Sequence, residues 1–316
     1  MNEHAQIPDA HAAGAAAEAA GEGFDAGTLL IGHIANSDPH HPLIPLPVVF
    51  GIDLSVTKHV FMLWVVAALV FVTVTLLVRG YLKRGMTAPT GAMNALEFIV
   101  EYVRDSIARP NLGSKWLMAW TPLLLTLFIF ILAANAIGLV PIFEVLGLLN
   151  HYVLHASPDS FLGTLLHGGS TITANFNVTA ALATITFFAV IIAGSRAHGF
   201  VQHWLNLAPK GLPPLLYLLL VPLELLSMFV RPFALTMRLA ANMTGGHLAI
   251  LAFLSFVFIF TETFSTALAG IGVGLLFSVP VSTGIYALEI IVVLVQAYVF
   301  TLLSAVFIGM AIHAHH

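Results

Sequence analysis

One arginine lies in the middle of an apolar stretch of this sequence. Between Pro232 and Phe260, Arg238 is the only residue with a formal charge, and the stretch is apolar enough to lie in a bilayer. An unpaired guanidinium is costly in hydrocarbon, so an arginine within a membrane segment faces a partner, a water-filled cavity or an ion path. The sequence therefore indicates a protein that handles ions inside a membrane.

Polar side chains recur along the helical face that carries Arg238. At about 100° per residue, Glu224, Arg231 and Asn242 fall within roughly 40° of it, whereas His247 falls on the opposite side of an ideal helix, about 13 Å along its axis. Small residues share the arginine stripe, and these are Ala234, Ala241 and Gly245. Because small residues let another helix come close, the face around the arginine is typical of a close helix contact.

The composition places the chain in lipid. The 316 residues are 59% hydrophobic and 8% charged, which could not cover a water-soluble surface of this length. The chain has no cysteine, so disulfides, thiolate chemistry and cysteine-ligated metals are excluded. Gly270, Gly272 and Gly274 precede no Lys-Ser or Lys-Thr pair, so no nucleotide-binding loop is expected. No basic patch indicates nucleic acid, and no cofactor is predicted.

Five apolar segments are long enough to cross a membrane. Those at 60–78, 116–140 and 173–194 have the length of ordinary spans. The blocks 213–261 and 263–312 are each about 50 residues long and would form helices of roughly 75 Å, against a hydrocarbon core of about 30 Å. Each block is either two ordinary spans or one long, strongly tilted helix, and the charge pattern fits both. The expected fold class is an all-α integral membrane protein.

Lysine and arginine are distributed unevenly between these segments. The connection 79–115 carries several of them, whereas the leader 1–57 and the connection 141–172 carry none. By the positive-inside rule, the first connection is cytoplasmic and the leader lies outside. The leader is acidic and rich in alanine and histidine, and it does not have the pattern of a signal peptide. We therefore divide the chain into an outside, partly disordered leader (1–57) and a single membrane domain (58–316).

The first connection contains an amphipathic segment that is predicted to lie on the membrane surface. Its apolar residues recur at helical spacing, and these are Leu96, Ile99, Val100, Val103 and Ile107. Its opposite side is charged, through Glu97, Glu101, Arg104 and Asp105. Pro89 and Pro110 are expected to mark its ends. The predicted architecture is therefore about five transmembrane helices and one surface helix.

The run RLAANMTGGH, from Arg238 to His247, resembles a stretch of subunit a of the F-type ATP synthase. The arginine is followed four residues later by Asn-Met, then by a small residue and an ionisable group, with Glu224 and Ser227 upstream. Three further runs resemble the family, and these are NAIGLVP from Asn135, NFNVT from Asn175 and LVQAYVF around Gln296. The resemblance covers about residues 45 to 312 and leaves the leader unmatched.

The resemblance implies a stator protein of the membrane sector, whose last two helices are long, strongly tilted and packed against a ring of c subunits. Two offset half-channels would pass protons to and from the c-ring carboxylates, with the essential Arg238 between them. The other implied partners are peripheral-stalk b subunits, the remainder of the complex and membrane lipid. The implied location is the bacterial plasma membrane or, alternatively, the mitochondrial inner membrane. Such a subunit serves ATP synthesis without an active site of its own.

Family position implies roles for five further residues. Glu289 and His247 would belong to the half-channel from the outside, and Glu224 to the path on the inner side. Asn242 and Gln296 would line the region around the arginine. Many bacterial members carry the acid on the earlier helix and the imidazole on the later one, whereas this chain has the two exchanged. We therefore expect these two side chains to meet in space, as a proton relay requires.

Simpler interpretations of several residues remain open. Arg231 could snorkel to the interface or contact a phosphate, and Asn242 and Gln296 could serve only as hydrogen-bonding residues between helices. Gly138 stands where some bacterial members have an acid, so no relay is expected there. A self-contained proton-coupled transporter would also bury such groups, although no internal repeat is visible. A metal site is not predicted, because no acid or cysteine is organised around the histidines that lie near one another in the sequence; these candidates are His40, His41, His151, His155, His313, His315 and His316.

Overall fold

The computed structural model describes residues 42–49, 52–53, 55–83, 85, 88–140, 150, 172–205, 213–264 and 267–313. The rest of the predicted leader, the connection 141–171 apart from Asn150, and the candidate metal-binding histidines apart from His313 lie outside these residues. Within the described part of the leader, Val48–Val49 (β1) pairs antiparallel with Ile52–Asp53 (β2). The Ser55 N–H donates a hydrogen bond to Asp53 Oδ1 at 2.9 Å and closes this small hairpin.

The remaining described elements are helical. They are α1 (Lys58–Lys83), α2 (Ala92–Glu101), a π-helical segment (Tyr102–Ala108), α3 (Arg109–Leu139), a 3-10 turn (Ile172–Ala174), α4 (Phe176–His198), α5 (Phe200–Leu205), α6 (Pro214–Thr263), α7 (Ala267–Val273), a second π-helical segment (Gly274–Ser278) and α8 (Val279–Ile312). Within the part of the chain that the structure describes, five helical stretches are long and apolar enough to cross a membrane, and these are Lys58–Lys83, Ala92–Leu139, Phe176–His198, Leu216–Thr263 and Gly270–Ile312. The predicted fold class, an all-α membrane protein with about five spanning helices, is confirmed. The tilt of the last two helices and the surface position of the amphipathic helix stay predictions.

The structure decides between the two alternatives for the long apolar blocks in favour of long helices. α6 is one helix of 50 residues, although Pro222 and Pro232 lie inside it. Each proline removes one backbone N–H from the helix. Leu235, Leu239 and Met243 recur at helical spacing and are all buried, and packing of such a face supplies most of the stability of a helix in a protein. The second block is helical from Ala267 to Ile312, with one π-helical segment inside it.

The predicted surface helix does not end at Pro110. Helical structure continues from α2 through the π-helical segment into α3, and the break comes at Gly113, which has a φ of 70°. That φ is one that residues with a side chain rarely adopt, so glycine is suited to the kink. The Arg109 N–H bonds to the Arg104 carbonyl, five residues back. This wider turn leaves room for Pro110, which has no N–H to donate.

The chain divides into two compact units. The Arg238 unit consists of Met62–Ile137, Asn175–Ala240 and Val293–His316, and the Glu289 unit of Met1–Phe61, Gly138–Ala174 and Ala241–Val292. In the Arg238 unit, side chains of α3, α4, α6 and α8 form one buried apolar core. Gly309 of α8 lies so close to the Asn111 carbonyl that any Cβ would collide with it. The two helices can therefore approach to backbone contact at this point.

In the Glu289 unit, the second half of α6 packs against the helices that follow it. Phe253 and Phe256 of α6 contact the ring of Phe277, with centroids 5.9 and 6.3 Å apart. Glycines line this contact: a Cβ on Gly270 would collide with Thr261, and one on Gly274 would come within 3.2 Å of Val257. Small residues of this kind let membrane helices pack closely without a water-driven hydrophobic force.

Candidate functional site

Arg238 lies on the exposed side of α6. Its neighbours Leu235 and Leu239 are buried in the core of the Arg238 unit, so the helix turns the guanidinium away from that core. Arg238 itself is exposed. Among the described residues the structure gives it no ion pair and no hydrogen bond. The arginine is therefore available to a charge that this part of the chain does not provide.

Small residues surround Arg238 along its helix face. Ala234, Ala241 and Gly245 are all exposed, as is the amide residue Asn242. A Cβ added to Gly245 would meet no atom within 4 Å. The small residues of the stripe predicted from the sequence are thus exposed in the described part of the chain. Exposed small residues of this kind let another helix approach closely.

A different arginine pairs with the acid of this helix. Arg231 Nη2 donates a hydrogen bond to Glu224 Oε1 at 3.1 Å. The side chains of the two residues are 25% and 39% exposed, respectively. The Arg231 guanidinium also lies over the Phe307 ring of α8, 5.6 Å from its centroid. The interpretation of Arg231 as a snorkelling or phosphate-binding residue overlooked this acid, which is seven residues earlier on the same face.

The structure brings His247 and Glu289 together, as the exchanged positions predicted. His247 Nδ1 and Glu289 Oε1 are 3.6 Å apart, which is longer than a direct hydrogen bond but within reach of a water bridge. Glu289 is only 3% exposed. Neither carboxylate oxygen has a hydrogen-bond partner in the part of the chain that the structure describes. A buried carboxyl group in this condition needs water or a proton to satisfy it.

The backbone of α6 leaves room for this carboxylate at Gly246. A Cβ at that position would lie 2.7 Å from Glu289 Oε1 and 2.9 Å from its carboxyl carbon. Contacts this short do not occur between real Cβ atoms and their neighbours, so any larger residue would displace the acid. Gly246 therefore determines how close Glu289 comes to the helix that carries His247.

Two serines on the same stripe as Glu289 were missed by the sequence analysis. Ser278 and Ser282 precede the acid by eleven and seven residues, spacings that place all three within about 40° on one helix face. Both serines are buried. Within the described residues, neither hydroxyl has a hydrogen-bond partner. The spacing of eleven and seven residues before Glu289 could have indicated them, but a single serine in an apolar helix does not by itself indicate a functional role.

Gln296 continues the stripe of Glu289 by seven residues and is also buried. It belongs to the Arg238 unit, whose interior contains further polar groups. There the hydroxyls of Thr186 and Ser304 are 3.1 Å apart, and Ser304 also donates to the Phe300 carbonyl. α8 therefore carries polar side chains along much of its buried face.

The helices and their ionisable side chains define a class: a multi-pass helical membrane protein with acids, a histidine and arginines inside its spans. A family model described as the ATP synthase A chain matches residues 60–309. ATP synthase subunit a of Chlorobium phaeobacteroides is 39% identical over 308 residues, covering 95% of this chain and 80% of the relative. ATP synthase subunit a 2 of Chlorobium luteolum is 40% identical over 306 residues, covering 93% and 79%. ATP synthase subunit a of Anaeromyxobacter sp. is 36% identical over 292 residues, covering 90% and 62%.

The chain therefore belongs to the subunit a family of the ATP synthase membrane sector. It is a multi-pass protein of the bacterial plasma membrane and a component of the ATP synthase complex. The resemblance found in the sequence is confirmed by these matches. The roles given to Arg238, Glu224, His247 and Glu289, and to the polar residues Asn242 and Gln296, stay predictions.

Proposed function

We propose that this chain is the stator subunit that passes protons to and from the carboxylates of a c-subunit ring, through two offset half-channels separated by Arg238. One observation carries the proposal. Arg238 lies in an apolar helix on an exposed face of small residues, and the described residues give it no ion pair. Because an unpaired guanidinium is costly in a span, a carboxylate on a neighbouring subunit is the partner that this face fits.

The proposed role of Arg238 follows from the chemistry of its side chain. A guanidinium is permanently charged and favours the ionised form of a nearby carboxylate. A c-subunit carboxyl that approaches Arg238 would therefore release its proton into one half-channel. After it passes, the carboxylate would take up a proton from the other half-channel. The fixed positive charge also opposes direct passage of protons between the two, so that proton flow is coupled to rotation and to ATP synthesis.

The proposed path from the outside runs through the Glu289 unit. His247 Nδ1 and Glu289 Oε1 are 3.6 Å apart, and a water molecule bound to both atoms from the side would hand the proton from one group to the other. Ser278 and Ser282 lie on the same helix face as the acid, and a hydroxyl both donates and accepts hydrogen bonds. These two serines would therefore hold further waters along the path.

The proposed path to the inside uses Glu224, whose carboxylate lies on the same helix as Arg238. Asn242 and Gln296 would line the region around the arginine as hydrogen-bonding groups. Peripheral-stalk b subunits and membrane lipid would cover the remaining apolar surface of the helices. This part of the proposal rests on family position and on the placement of Glu224 within the span Leu216–Thr263.

The test replaces Arg238 by Ala, Gln or Lys in the intact complex. Each variant is expected to assemble but to lose ATP-driven proton pumping in inverted membrane vesicles, by about 100-fold or more. Lysine should fail as well, because its compact ammonium is strongly hydrated and loses its proton readily in an apolar site. Arg196→Gln, at the exposed end of α4, serves as the control and should pump normally. Near wild-type pumping by the Arg238→Lys variant would refute the role.

A further inference from the structure

Arg231 reaches its acid over an unusual distance along the helix. Arg231 and Glu224 are seven residues apart on α6, which is two turns or about 10.5 Å of rise. The contact between Nη2 and Oε1 at 3.1 Å therefore requires both side chains to extend along the helix surface toward each other. Helical side chains lean toward the N-terminus, which favours this direction for the arginine.

A second helix holds the guanidinium in this position. The Phe307 ring of α8 lies 5.6 Å from the guanidinium carbon. A guanidinium can stack its face on an aromatic ring while its N–H groups donate in the plane. The contact with the ring and the hydrogen bond to Glu224 are therefore compatible, and together they restrict the position of the guanidinium.

The residues around Arg231 offer its charge few partners other than Glu224. Arg231 lines a small, mostly apolar cavity together with Thr186, Phe187, Val190, Met228, Leu235 and Phe307. The Thr186 hydroxyl is engaged with Ser304. Within the described residues, Glu224 is the only acid paired with Arg231. A charge placed beside apolar groups depends strongly on such a partner.

We propose that Arg231 is a positioning residue that holds the Glu224 carboxylate in one orientation on the inner proton path. This inference rests on the proposed function and extends it to a residue for which no role was assigned. Oε1 is held by the arginine, and no donor among the described residues bonds to Oε2. A proton arriving from the c-ring side binds to Oε2 and leaves from the same atom to water, while the contact to Oε1 stays in place. The guanidinium keeps its own protons throughout.

The test is a double-mutant cycle in the intact complex, with ATP-driven pumping and proton-driven ATP synthesis as the measurements. Arg231→Gln should lower both rates about tenfold, the size expected when a hydrogen bond to a charged group is removed. In a Glu224→Gln background, the same change should cost nothing further, because there is no carboxylate left to orient. Arg231→Lys should retain more activity than Arg231→Gln, since it keeps the charge. Arg196→Gln again serves as the control.

A purely structural role gives a different pattern. If Arg231 acts only by packing on Phe307, Phe307→Leu should reproduce the loss, and Arg231→Gln should cost the same in both backgrounds; that result would overturn the inference. The same result would not contradict the proposed function, as long as Glu224→Gln alone impairs pumping. Wild-type pumping by Glu224→Gln would instead remove the inner path and this inference together. Arg231→Gln could prevent assembly because it leaves Glu224 unpaired. In that case the double variant Arg231→Gln with Glu224→Gln, which has neither charge, should restore assembly. If the double variant also fails to assemble, the pairing role is contradicted.

Discussion

Each of the two units contains a pair formed by an acid and a basic side chain, and the two pairs differ in how the acid is satisfied. In the Arg238 unit, Glu224 is part-exposed and accepts a hydrogen bond from Arg231 at 3.1 Å. In the Glu289 unit, the acid is almost fully buried and lies 3.6 Å from His247, and its carboxylate has no hydrogen bond to any residue that the structure describes. The partner of the first carboxylate is a guanidinium, which is permanently charged, whereas the partner of the second is an imidazole.

This difference suggests different tasks for the two acids. A carboxylate paired with an arginine in a part-exposed place can exchange protons with nearby water without leaving its ion pair. A buried carboxyl without a hydrogen bond depends on a water molecule or on its own proton. We therefore expect the path through Glu289 to be far more sensitive to the loss of its acid than the path through Glu224.

The largest expected effect tests this contrast directly. Glu289→Gln should lower ATP-driven pumping about 100-fold or more, within the range for loss of a proton-transfer group. Glu224→Gln should lower it only about tenfold, because water can replace a part-exposed proton carrier. Pumping and ATP hydrolysis are measured together in inverted vesicles, with subunit content as the assembly control. Equal losses in the two variants would contradict the contrast between the pairs.

The next largest expected effect tests whether His247 and Glu289 function as a pair. In the double variant His247→Glu with Glu289→His, the acid and the imidazole exchange helices but still face each other. We expect this variant to retain more pumping than either single change, because each single change leaves two like groups together. The measurement is the initial rate of acidification in vesicles. A double variant as poor as the worse single variant would show that each position needs its own residue.

Some of this arrangement could be predicted from the sequence. The long helices follow from the length and apolar composition of the blocks 213–261 and 263–312, and the meeting of His247 with Glu289 follows from the exchanged family positions. Spacing alone could not have found that contact, because the two residues lie on different helices. The pair of Arg231 with Glu224 was within reach of the sequence, since both residues were already placed on one face.

Other features depend on packing that no local pattern specifies. The helix runs past Pro110 because a π-helical turn precedes it, and insertion of such a turn follows from the fit between neighbouring helices. The clearance at Gly246 depends likewise on how closely two helices approach. A glycine in the sequence indicates freedom, but it does not reveal which side chain occupies the space.

A smaller effect is expected when the space between Gly246 and the Glu289 carboxylate is filled. Gly246→Ala places a methyl group against the Glu289 carboxylate, and overpacking of this kind typically costs about 1–3 kcal/mol. We expect pumping to fall roughly tenfold, because the methyl group moves the carboxylate away from His247, and about 1.4 kcal/mol added to the barrier corresponds to a factor of ten in rate. Gly284→Ala is the matched control, since a Cβ there meets no atom within 4 Å. Equal pumping rates in the two alanine variants would show that Glu289 can move without loss.

The smallest effect concerns a histidine outside both pairs, which shows what burial does to an imidazole without an acid. His203 of α5 packs against Gly194 at the end of α4, and its Nε2 has no hydrogen-bond partner among the described residues. Burial, aided by the charge of His198, lowers the pKa of His203 below its usual value of 6.5. The folded imidazole therefore binds a proton less readily than the unfolded one, so its contribution to stability is complete above pH 6.5 and is lost as the pH falls below it.

Amide hydrogen exchange in residues 199–205 of the intact complex should accordingly speed up between pH 7.5 and pH 5.5, after correction for intrinsic exchange rates. His203→Phe keeps a ring of similar shape that cannot be protonated, and in this variant the acceleration should disappear. If it persists unchanged, protonation of His203 is not its cause and the prediction is wrong.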